Sequence, residues 1–271
     1  MNRGLLVKTL REAGPSVLVF ALGLFAAQVL LALILGTFGR QLAEQWVQMK
    51  FVQNVLSALL GTEMGAALGP KAMASIAWVH PMVLALVWAH AILFCTRVPA
   101  GELDRGTIDV LLALPVSRTR LYVSESCVWL TGGLLIVTMG LIGNIVGRCL
   151  VGREASETTS QLLAVSLNLY ALYIAVGGGA WLVSALSDRR GRAVGVLFAI
   201  LVVSFFLNSM TAFHAGVKRV SFLSVLTYYR PLRVLQGSSW PTADMMVLLG
   251  VGVVLWLAGA IVFARRDIRT V

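Results

Sequence analysis

Hydrophobic residues in this chain run in long unbroken blocks rather than alternating with polar ones. Six blocks exclude Lys, Arg, Asp and Glu from their interiors, at residues 17–36, 78–96, 126–146, 162–186, 193–210 and 245–264. A helix needs about 20 apolar residues to cross a hydrocarbon layer, and a charged residue at its centre costs roughly 2.5–3.5 kcal/mol. The pattern therefore predicts six transmembrane helices. A membrane β-barrel would show short segments of alternating polarity, and none is present over that length. The second block is the least uniform, since it contains His80, Pro81 and His90. The first has an apolar run of about 20 residues, beyond the 7–15 of a signal-peptide core, and is read as a retained span.

Between the blocks, two kinds of connection alternate. One set holds 13 of the 22 lysines and arginines in short segments: Arg3, Lys8 and Arg11; Arg97, Arg105, Arg118 and Arg120; Arg189, Arg190 and Arg192; Arg265, Arg266 and Arg269. The remaining nine are spread over the longer connections. The positive-inside rule predicts that both termini are cytoplasmic, in a multi-pass protein of the cell membrane.

Composition agrees with this class: 58% of the 271 residues are hydrophobic and 13% charged, against about 45–50% and about 25% in an ordinary soluble domain. One helical membrane domain over 1–271 is expected, with no separate soluble domain. The net charge of +10 fits a basic belt facing anionic headgroups, and nucleic acid is not needed to explain it. Cys95, Cys127 and Cys149 show no paired spacing, which suggests neither a disulfide framework nor a metal site.

The connections carry amphipathic signals. Residues 1–15 place Leu6, Val7 and Leu10 at helical spacing with Lys8, Arg11 and Glu12 on other faces. This predicts an elbow lying along the inner leaflet and turning upward near Gly14 and Pro15. The outer segment 37–77 repeats Trp46, Met49, Val52, Leu56 and Leu59 at helical spacing, as an interfacial helix would. The outer segment 212–243 is aromatic and basic, and it contains His214 without a visible partner.

The richest stretch is the loop 97–121 between the second and third spans. Gly106 permits a sharp turn, Thr107 can cap a new helix, and Asp109 sits in its first turn, where the helix dipole favours negative charge. A short helix is expected from Ile108, with Ile108, Leu111 and Leu112 as an apolar stripe. Pro115 ends it, and Ser117, Arg118 and Arg120 lead back to the membrane. Pattern alone leaves two uses open: resting on headgroups, or presentation to a cytoplasmic partner.

The ordered set Glu102, Gly106, Thr107, Leu111, Leu112, Pro115, Ser117 and Arg118 resembles the E-x-x-x-G-T-x-x-x-L-L-x-x-P-x-S-R signature of type 2 ABC exporter permeases. The closing Phe263, Arg265, Arg266, Asp267 and Ile268 are similar to the F-x-R-R-D-I ending of many of them, and Tyr228, Tyr229, Pro231 and Leu232 add to the likeness. The resemblance implies an all-α membrane subunit whose loop is a coupling helix. Glu102, Arg105, Gly106, Thr107, Asp109, Leu111, Leu112, Pro115, Ser117 and Arg118 would then contact a cytoplasmic ATP-binding cassette ATPase. It also implies a second permease subunit, homo- or heterodimeric, and a pair of short, partly re-entrant helices within 212–243. Two rivals remain at this point: a membrane subunit that passes force to an outer partner without transport, and an intramembrane lipid-modifying enzyme.

No G-x-x-x-x-G-K-[ST] loop occurs in the chain, so no cofactor is expected in it, and ATP and Mg²⁺ would sit in the partner. Gly177, Gly178 and Gly179 lie inside the fourth span and predict close helix packing or a kink. His80 and His90 are about 80° apart around a helix, an unsuitable pair of metal ligands, and a hydrogen bond within the bundle is the expected use. Asn144, Asn168 and Asn208 could join helices or line a pathway, and joining is the favoured reading. Glu125 and Asp244 flank spans rather than entering them.

Overall fold

In the computed structural model the chain is described over residues 3–46, 70–108, 113, 116–152, 157–211, 215–237 and 239–267. Its long helices are α1 (Arg3–Trp46), α2 (Pro70–Val79), α3 (Pro81–Cys95), α4 (Arg118–Val151), α5 (Thr159–Leu186) and α6 (Arg190–Met210). After the short α7 (Pro231–Gln236) comes the last span, α8 (Thr242–Arg265). Among the described residues six helical stretches are long and apolar enough to cross a membrane, with α2 and α3 counting as one.

The helices exceed the apolar blocks because hydrogen bonding does not stop where charge begins. The third block covers 126–146, but α4 starts at Arg118, with Ser117 as its N-cap accepting from the Arg120 amide at 3.3 Å. The second block is broken instead. His80 is extended, its ring nitrogen accepts from the Met82 amide at 3.2 Å, and Pro81 opens α3 at a position where its missing N–H costs nothing.

The elbow differs from the sequence expectation. α1 is one helix from Arg3 onward, with Pro15 inside it rather than at a turn. The physical reason is a buried stripe, Leu5, Thr9, Ala13, Val17, Ala21, Leu24, Gln28 and Leu31, that runs past the proline without losing register. Pro15 itself lies on the exposed face.

Two helix pairs form the frame, α1 with α4 and α5 with α8. Small residues permit their closeness. A methyl group added to Gly143 would stand 2.4 Å from the Phe25 carbonyl oxygen, so α1 and α4 touch backbone to backbone. Between them, Trp78, Trp129, Trp181, Tyr122 and Tyr173 fill the interior. The helix ends sort into a basal end, where α1, α4 and α6 begin and α3, α5 and α8 end, and a distal end opposite.

At the distal end, residues 221–236 fold into short turns and α7 rather than a span. Tyr229 donates its hydroxyl to the Trp78 carbonyl at 3.0 Å. Asn168 reaches the Tyr228 carbonyl at 3.3 Å, and Gln161 holds the Leu235 and Gly237 carbonyls at 2.9 and 2.8 Å. The proposed interfacial helix at 46–59 and His214 lie outside the described residues, save for the backbone of Trp46.

Candidate functional site

The basal end concentrates the chain's charged chemistry. α3 finishes at Cys95, and Thr96 then turns the chain, donating its hydroxyl to the Ile92 carbonyl at 2.7 Å. Val98 is extended, which kinks the backbone between α3 and the segment Arg97–Gly101. This neck is buried: the Ala100 amide donates to the Ser184 hydroxyl at 3.3 Å, and Gly101 packs against the Arg190 side chain. Arg190 in turn donates to the Leu93 carbonyl at 2.9 Å, tying the start of α6 to the end of α3.

From the neck a braced turn projects. The Glu102 carboxylate accepts from Arg105 Nη2 at 2.5 Å and from the Thr107 hydroxyl. Backbone bonds close the same turn, Gly106 to the Leu103 carbonyl at 3.1 Å and Thr107 to that of Glu102 at 3.0 Å. Gly106 has φ +67°, the left-handed conformation in which a side chain is costly. Ile108 is helical and buried. Asp109, Leu111, Leu112 and Pro115, which were to continue this helix, lie outside the described residues. So do the amides that Thr107 would cap.

The sequence-derived site thus divides. Arg105, Gly106 and Thr107 are exposed on the turn, while Glu102 is buried against its own loop. Ser117 is a cap. Arg118 points inward, its Nη1 2.6 Å from the Arg266 carbonyl and 3.4 Å from that of Phe263 at the end of α8. Arg266 repeats the device on α5, donating to the Ala185 and Ser187 carbonyls at 2.8 and 3.0 Å and pairing with Asp188. Helix C-termini leave four carbonyls unpaired and carry partial negative charge. The arginines of both motifs meet that need.

Sequence reasoning missed a second cluster. Glu125, buried in α4, accepts the Thr9 hydroxyl at 2.8 Å and pairs with Arg97. Arg97 also reaches Glu12 at 3.1 Å and stacks over Phe94 at 5.2 Å, and Glu12 meets Lys8 at 3.5 Å. Thr9 and Glu12, with Arg97 and Glu125, thereby join α1, the neck and α4. One signal was available: a carboxylate one position before an apolar block must find partners or lose hydration at high cost.

Inside the bundle, polar groups serve as joints. Asn144 donates to the Gln28 side-chain oxygen at 3.0 Å, and Gln28 passes a bond to the Ala77 carbonyl at 3.2 Å. His90 Nδ1 lies 3.0 Å from the Tyr173 hydroxyl, which donates to the Trp129 carbonyl at 3.0 Å. Since that hydroxyl's one proton is spent on Trp129, Nδ1–H of His90 is the donor to it. Among the described residues no group of three His, Cys, Asp or Glu could hold a metal ion.

One cavity flanks the frame beside α6. It has a volume of about 570 Å³ and lies between α5, α6 and α8, with Val176, Leu197, Leu201, Leu223 and Leu255 among its walls. Its polar wall residue, Ser204, is already bonded to Ser224 at 2.8 Å. An apolar slot of this kind suits hydrocarbon rather than water.

No curated protein matches the chain. A family model described as "ABC-2 family transporter protein" matches residues 16–268, nearly the whole chain and all six spans. With six membrane-crossing helices and a braced loop at their basic end, the chain belongs to the ABC-2 transporter family, as a membrane-spanning permease subunit.

Proposed function

We propose that this permease works in an ATP-driven exporter whose hydrolytic subunits dock on the basal end, with both termini cytoplasmic. The observation that carries the reading is the braced turn from Glu102 to Thr107, which ends in a helical, buried Ile108 just where the family's coupling helix is expected. ATP and Mg²⁺ would belong to the docked subunit, since this chain has no phosphate-binding loop. Closure of two such subunits would push on the loop 97–121 and, through the neck, on α3 and α4. A second permease copy or relative would complete the pathway. The apolar cavity beside α6 supports a cargo that enters from the lipid side.

The test is co-purification from detergent with a co-expressed ABC-type ATPase. The intact chain should retain the ATPase, and the Glu102→Arg, Leu111→Asp double variant should lose it while eluting as the same monodisperse permease. Equal retention by both, or none by the intact chain, would overturn the coupling assignment.

A further inference from the structure

Arg97 and Glu125 stand at the two ends of the basal loop. Arg97 is the first residue after the α3 cap, and Glu125 lies two turns into α4. Their ion pair therefore closes the loop at its neck. The same carboxylate holds Thr9 at 2.8 Å, and the same guanidinium holds Glu12 at 3.1 Å, so the first turns of α1 are bound into the closure.

The burial of the pair decides how it behaves. The Glu125 side chain is 5% exposed and that of Arg97 15%. An exposed pair adds little and can loosen by degrees. A buried pair that loses one partner leaves an uncompensated charge, so intermediate openings are disfavoured. Glu12, at 46% exposure, is screened by solvent and supplements this arrangement.

We infer that Arg97 and Glu125 form a clasp that makes the N-terminal part of α1 and the neck of the basal loop open and close as one body. Thr9 and Glu12 extend it to α1. The inference deepens the proposed function, because a clasped neck would deliver a push on the loop to α1, α3 and α4 together. Without the clasp the loop could bend at its roots and dissipate that push.

The experiment is hydrogen–deuterium exchange on the full chain in nanodiscs, with no ATPase present, so its outcome is independent of the docking test. Glu125→Gln should raise exchange about tenfold or more, both in residues 3–14 and in 97–107, and leave α5 and α8 unchanged. The charge-exchanged pair Arg97→Glu with Glu125→Arg, made together with Glu12→Gln so that no like charge faces position 97, should return both segments toward the rates of Glu12→Gln alone. Thr9→Val, which removes a hydroxyl shared between Glu125 and the Leu5 carbonyl and no charge, should raise both by a few-fold. Where Glu125→Gln fails to fold, Thr9→Val decides. A rise confined to one segment, a rise that spreads equally through α5 and α8, or no rise at all would overturn the clasp.

Discussion

Gly178 on α5 lies against the backbone of Gly252 on α8: a methyl group added to Gly178 would stand 2.2 Å from the Gly252 carbonyl oxygen. Backbone cannot rotate away as a side chain can. Its neighbour Gly179 would meet only a Leu255 methyl at 3.8 Å, an ordinary contact. Gly178→Ala should therefore cost several kcal/mol by overpacking, on the order of the 1–3 kcal/mol usual for extra carbons or above it. Gly179→Ala should be neutral or slightly stabilising, since alanine is the better helix former by about 1 kcal/mol. Thermal unfolding of the two variants in detergent separates these outcomes.

The pair Gln28 and Asn144 should behave as a coupled joint. Replacing Asn144 by Ala removes the donor to Gln28 and should cost about 0.6–2 kcal/mol. Gln28→Leu should cost a similar amount or more, since the Ala77 carbonyl also loses its donor. The double variant should fall short of the sum, because the shared bond is lost only once. A denaturation cycle in mixed micelles measures that shortfall.

At Gly106 the cost is conformational rather than steric, since an added methyl meets nothing within 4 Å. Gly106→Ala should strain the turn by roughly 1–2 kcal/mol, and Gly106→Asn by less. The bundle is not involved, so the melting temperature should stay put. The turn's own bonds should show the effect, as faster amide exchange at Gly106 and Thr107.

Arg266 should matter to stability more than its place near the C-terminus suggests. Arg266→Ala removes two charge-assisted bonds to the end of α5, each worth about 1.5–3 kcal/mol, less what water restores. Asp188→Asn should change little, because that carboxylate is 72% exposed. A melting-temperature comparison checks the contrast. A larger loss from Asp188→Asn would contradict the capping role.

The six spans were legible because charge is excluded from hydrocarbon, and that rule reads directly from residue type. Helix ends were less so: α4 begins at Arg118, eight residues before its apolar block, since capping by Ser117 and not polarity sets the boundary. Pro15 misled for a related reason. A proline signals a break locally, but the stripe from Leu5 to Leu31 outweighs it through packing on α4. In the loop, Gly106 was legible as a turn from its residue type, whereas Glu102 was singled out only by the resemblance and its bond to Thr107 was not foreseen. The Thr9–Glu125–Arg97 contact joins residues 116 and 28 positions apart and follows from helix packing, which no local pattern encodes. Arg118 looked like a surface residue because its acceptors, the carbonyls of Phe263 and Arg266, belong to the backbone and carry no sequence signature.

The inward-turned arginines have a consequence for how the protein is made. Carbonyls at the end of α5 receive their partner from Arg266, roughly eighty residues later in synthesis, and Arg118 waits longer still for the end of α8. Until the last span is in place, the end of α5 lacks this partner and Arg118 lacks its acceptors. A chain truncated just short of Arg266 should therefore hold six inserted helices and yet leave the end of α5 uncapped and Arg118 short of its nearer acceptor.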